Sequence, residues 1–171
     1  MNDANLKESA WQDFFARLKR GEIPDDQIGP AIVHLAKPFD AARIETAKDT
    51  ILTFLNHQNA WARHEAMWFI RWANLIDHTP ALIEALKNDP DSDNRRYAAI
   101  CLAHLLQGTS DHDAIKELSR IVLEESEDSL VRVDCYGALV EMLNRENGSK
   151  YFGEPSRVEA IDLDWVRSLS R

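Results

Sequence analysis

Apolar residues along this chain recur at helical spacing, and they do so in an arrangement that repeats. Counting forward from Arg96, small or apolar residues fall at +3, +6, +7 and +10: Ala99, Leu102, Ala103 and Leu106. At 100° per residue these four share an arc of about 100°, the buried stripe of an amphipathic helix. The same ruler laid from Arg63 gives Ala66, Phe69, Ile70 and Ala73, and from Arg132 it gives Cys135, Ala138, Leu139 and Met142. The three arginines stand 33 and then 36 residues apart. Self-similarity at that period marks a repeat architecture.

Each stripe follows a leading amphipathic segment, which predicts three antiparallel helix pairs. They are Ala41–Asn56 with Trp61–Ile76, Pro80–Lys87 with Asp93–Gln107, and Asp113–Glu124 with Ser129–Asn144. Ahead of them, Asn5–Arg20 and about Asp25–Ala36 read as two further helices, with Gly21 stopping the first and Pro38 the second. Pro30 fits either the first turn of that second helix or its start. Asn59, Asp93, Asp128 or Ser129, and Thr79 before Pro80 supply caps at the expected starts. Arg145–Pro155 is turn-rich, and a short helix at about Asp164–Ser170 is expected to cover the open end of a stack. The expected fold is all-α: a short right-handed α-solenoid in a single domain, residues 1–171. Residues 1–39 would be N-terminal capping helices, 40–144 the repeats, and 145–171 an irregular tail with a capping helix.

Composition narrows the function. The 44% apolar and 29% charged shares belong to a globular chain, and a net charge of −9 would repel nucleic acid and anionic membrane. A protein partner, of basic character, is the natural expectation for a monomer of this charge. Cys101 and Cys135 fall inside predicted helices and read as reduced hydrophobes. The first residues are polar, and no apolar run approaches the roughly 20 residues of a membrane span. The cytoplasm is the expected location.

The pattern of an Asp/Asn-rich turn, an arginine, then alanines and a leucine is clearest in Arg96-Tyr97-Ala98-Ala99-Ile100-Cys101-Leu102. Over about residues 40–144 it resembles HEAT repeats, in particular the short phycobilisome-lyase type. The resemblance implies a ladder of turn aspartates and arginines between neighbouring repeats. By position Asp93 with Arg96 and Asp128 with Arg132 fill it, while Arg63 has only Asn59 nearby. It also opens an enzyme alternative, because HEAT-fold hydroxylases bind two irons through several His-Glu pairs, and HEAT-like DNA glycosylases grip an extruded base. Here His64-Glu65 stands alone, since the equivalent places read Tyr97-Ala98 and Val133-Asp134. One such pair is too few for a di-iron centre, and the acidic charge opposes a duplex. No phosphate loop, nucleophile elbow or Cys-x-x-Cys is present. No catalytic residue, metal or cofactor is expected.

Opposite the buried stripe, +1, +5 and +8 should be polar on a lone amphipathic helix. They are instead His64, Trp68 and Arg71, then Tyr97, Cys101 and His104, then Val133, Gly137 and Val140. Trp72 extends the first row. In a solenoid this column would line the concave face, and aromatics beside Arg and His are the composition of an interface hot spot. Turn acids, Glu124 and Glu125 among them, would form a rim. The expectation is a non-catalytic binding module, either an adaptor or an inhibitor or immunity protein for a basic toxin. The rival expectation for the column is ordinary core covered by another part of the chain.

Overall fold

The computed structural model describes residues 3–36, 41–145 and 158–169, and they are helical with no strand among them. Nine α-helices follow in order among these residues: α1 Asp3–Lys19, α2 Asp25–Ala36, α3 Ala41–Leu52, α4 Ala60–Trp72, α5 Thr79–Asn88, α6 Ser92–Leu105, α7 His112–Leu123, α8 Ser129–Met142 and α9 Leu163–Leu169. Short 3₁₀ turns at Thr53–Asn56, Ile76–His78 and Val158–Ala160 join them. Pro38 and all of the turn-rich tail except Arg145 lie outside the described residues.

The contacts divide the chain into two compact units, Met1–Ala73 and Asn74–Arg171. In the first, α2 packs against α1, α3 and most extensively α4. Trp11 shows how the sequence builds this core: its ring stacks on Phe15 at 5.3 Å and its indole N–H donates to the Leu35 carbonyl at 3.1 Å. Ile32, Ile51, Ala66, Phe69 and Ile70 are fully enclosed beside Leu35 and Leu18. Pro30 sits inside α2 rather than at its start.

In the second unit α5 pairs with α6 and α7 with α8, and the pairs stack like on like, α6 against α8 and α5 against α7. The chain ends by laying α9 on α7 and the Val158–Ala160 turn on α8. Arg145 fastens this closing segment, with its guanidinium 4.2 Å from the Trp165 ring centre and 2.8 Å from an Asp162 oxygen. A backbone bond from Gly108 N–H to the Met142 carbonyl, 2.8 Å, joins the ends of α6 and α8.

The helix caps correct the register expected for α6. Asn59, Asp91 and Asp128 are the N-caps of α4, α6 and α8, each accepting backbone N–H bonds through its side chain. Asp91 fills the place expected of Asp93, which lies inside the first turn of α6. The residue four past each cap is Arg63, Arg95 and Arg132, so Arg95 takes the place expected of Arg96. All three donate to carbonyls at the end of the preceding helical segment: Arg63 to His57 and Gln58, Arg95 to Asp89, and Arg132 to Val122. The Val122 carbonyl is one of the orphans a helix C-terminus leaves, the others lie at or just after a C-cap, and a cation suits that end of the dipole. The expected Asp128–Arg132 rung is replaced by these bonds. Thr79, expected as a cap, lies within α5, and the residue before it, His78, makes no side-chain cap bond. The Asp111 cap of α7 was not anticipated.

Candidate functional site

α4 spells AWARHEAMWFIRW, and two faces of it are apolar for different reasons. Ala62, Ala66, Met67, Phe69 and Ile70 are fully buried and make the core contact with α2. On another face Trp61, Glu65, Trp68 and Trp72 follow at +4, +7 and +11, within an arc of about 60° at 100° per residue. Trp72 is 53% exposed and Trp61 51% exposed, the largest outward aromatic surfaces among the described residues. Trp68 is half-buried between them along the helix.

The geometry of the ridge is specific. The Trp68 and Trp72 rings are 5.7 Å apart and tilted by 49°, a packed pair. The Arg71 guanidinium sits 5.8 Å from the centre of the Trp72 ring, within cation–π range. At the other end the Trp61 indole lies on α2, where a Cβ built on Gly29 would stand 3.0 Å from three of its ring atoms. Its N–H donates to Glu65 Oε1 at 2.9 Å, and His64 Nδ1 lies 3.3 Å from the same oxygen. Glu65 is therefore buried and engaged, and the one carboxylate of α4 does not face outward.

The residues expected to form the binding column divide between the units. His64, Trp68, Arg71 and Trp72 belong to the first unit and are all at least partly exposed. Tyr97, Cys101, His104, Glu124 and Glu125 belong to the second. There Tyr97 is half-buried, and His104, Glu124 and Glu125 are exposed. Cys101 has no exposed surface. Counted from Arg95, Cys101 is at +6, among the buried residues; of the +1, +5 and +8 places Arg96 and Ile100 are partly exposed, while Ala103 is buried. One position is a 100° turn of the helix. On α8 Val133 and Val140 are buried as well, because α8 is enclosed by α6, α7 and the Val158–Ala160 turn, so this part of the column is core. Trp61 was missed, although its spacing of seven and eleven residues to Trp68 and Trp72 carried the signal.

The turn acids of the second unit are mostly employed. Asp89 is buried and accepts from Asp91 N–H and the Asn94 side chain, and Glu127 pairs with Arg95 at 2.7 Å. Asp93 pairs with Arg96 at 2.9 Å, and Asp91 and Asp128 are caps. Glu124 accepts from the Ser126 hydroxyl and backbone, which holds its carboxyl below the ordinary value. Charge is nonetheless uneven along the sequence. Residues 1–73 carry nine basic and ten acidic side chains, residues 74–171 eleven and nineteen.

No three His, Cys, Asp or Glu side chains gather to hold a metal ion among the described residues. No described helix is long and apolar enough to cross a membrane. No family model matches the chain, and no curated protein or solved structure matches it.

Proposed function

We propose that this chain is a non-catalytic protein-binding module built from HEAT-like helix pairs, and that its contact surface is the tryptophan ridge of α4. The observation that carries the reading is Trp72, 53% exposed, packed against Trp68 and roofed by Arg71. Half of a tryptophan left in water forgoes the hydrophobic gain of about 25 cal/mol per Å² that a partner would supply. Tryptophan and arginine are also the side chains in which interface energy concentrates. The solenoid reading is supported by like-on-like stacking in the second unit and by the three arginines at equivalent places. An adaptor, or an inhibitor of another protein, is the role such a rigid helical face fits. A basic partner is a second reading, favoured by the excess of acids in residues 74–171.

Affinity capture with the full chain as bait tests the proposal. A protein retained by the wild type and lost with Trp72→Ala, whose helix content is unchanged, is the expected result. Retention of the same proteins by both baits removes the ridge from the interface.

A further inference from the structure

We infer that the α4 face takes an apolar partner segment carrying a carboxylate beside its apolar side chains, an acidic amphipathic peptide or helix. The inference rests on the proposal that the ridge is a binding surface, and it names the chemistry of what binds there.

The whole chain is acidic, yet this face is not. The charged or titratable side chains of α4 are Arg63, His64, Glu65 and Arg71. Arg63 is buried and spends its guanidinium on the His57 and Gln58 carbonyls. Glu65 is buried against Trp61 and His64. Arg71 remains, partly exposed; it lies over the Trp72 ring, and it forms no ion pair among the described residues. Among α4's own side chains the face thus offers indole surface with one outward cation and no outward carboxylate; the exposed Asp25 of α2 lies beside Asn59, at the end of α4 away from Arg71. A guanidinium held over an indole is partly stripped of water and presents its N–H fork to a carboxylate in two-pronged geometry. A lysine-bearing segment would meet the same cation with like charge, which costs affinity. Net charge argues for a basic partner only where the acids are, and they lie mainly beyond residue 73.

The test uses the full chain and two amphipathic helical peptides that share a leucine face. One carries glutamate on its flanks and the other lysine. Binding is followed by the indole N–H resonances of Trp68 and Trp72, assigned with Trp68→Phe and Trp72→Phe. This readout ignores any lysine peptide that sticks to acids elsewhere. The glutamate peptide is expected to shift both resonances and to bind about threefold or more tighter than the lysine peptide at low salt. The gap should close as salt is added. Arg71→Gln should abolish the preference and keep the apolar binding. Equal binding of the two peptides at these resonances, or a preference that survives Arg71→Gln, overturns the acidic-segment inference and leaves the ridge as a binding surface. If neither peptide moves either resonance, the inference and the binding surface fall together.

Discussion

Arg96 and Asp134, 38 positions apart in sequence, are joined by a 2.7 Å bond from Nε to Oδ2 that ties α6 to α8. The acceptor is buried and the donor about one third exposed, so the pair stands at the margin of the second unit's core. Asp93, the other partner of Arg96, is 80% exposed and adds little. Burial holds the Asp134 carboxyl above its ordinary value, against the lowering pull of Arg96. A raised carboxyl binds more protons folded than unfolded, so its contribution to stability falls as pH rises through that window. Removing Arg96 takes away the lowering pull and widens the window. Arg96→Ala is expected to cost about 1–3 kcal/mol at neutral pH. Part of that penalty should be recovered on acidification toward the carboxylate range. Urea unfolding at several pH values checks this, and a penalty independent of pH contradicts it.

The arginines four past the N-caps act as C-terminal caps for the preceding helical segments. Arg132→Ala should cost about 1–2 kcal/mol, the worth of a charge-assisted bond to the Val122 carbonyl, and Arg95→Ala more, since it also strands Glu127. Arg63 reaches two carbonyls at 2.8 and 3.0 Å through one nitrogen, so Arg63→Lys should recover only part of the loss from Arg63→Ala. Thermal melts of the paired variants decide it. Full rescue by lysine would reduce the role to charge alone.

Gly29 offers a prediction whose size depends on a second residue. Alanine is a better helix former than glycine by about 1 kcal/mol, but at Gly29 a Cβ would also meet the ring of Pro30, which follows it inside α2, and that offsets the gain. The Trp61 ring crowds the same Cβ at 3.0 Å. In the wild-type background Gly29→Ala is therefore expected to be destabilising, and in Trp61→Ala, where the indole is gone, the cost should shrink. A double-mutant cycle measures the coupling. Additive effects would mean that the indole does not rest on α2.

Much of this fold was legible in the sequence because it rests on a period of 3.6. Helices α2 and α8 begin where the pattern placed them, and α3 together with its 3₁₀ turn spans the residues read as one helix. The register of α6 slipped because two arginines and four polar turn residues, Asp91 to Asn94, offer two cap-to-arginine frames. Both frames keep an apolar stripe: Ala98, Cys101, Leu102 and Leu105 are buried, and so are Ala99, Ala103 and Leu106. Periodicity cannot separate frames on a helix buried over most of its girth. The cap hydrogen bonds do. The α4 ridge was legible in part, as Trp68, Arg71 and Trp72, since tryptophan at positions that should be polar is a signal in itself. The enclosure of α8 was legible only as the rival to an exposed column, cover by another part of the chain, because periodicity does not say which segment returns; α6, α7 and the Val158–Ala160 turn supply that cover.

The cap register also changes which leucines are equivalent. Leu102 and Leu139 both stand seven past their arginines, and both are fully buried. Leu102→Ala and Leu139→Ala are each expected to cost about 2–5 kcal/mol, by lost transfer energy and the cavity left behind. Ala138, opposite Cys101 in this register, has no leucine place to fill. Chemical denaturation compares the two variants, and a Leu139→Ala protein as stable as wild type would contradict the register.

If the outward face of α4 binds another protein, Trp72→Ala should separate binding from stability by two readings on one variant. Trp72 is more than half exposed, so its removal should leave the melting temperature within a few degrees of wild type. A hot-spot tryptophan is worth about 2 kcal/mol or more in binding, so affinity for a captured partner should fall roughly thirtyfold. A variant that melts far below wild type, or one that binds its partner unchanged, would contradict the account.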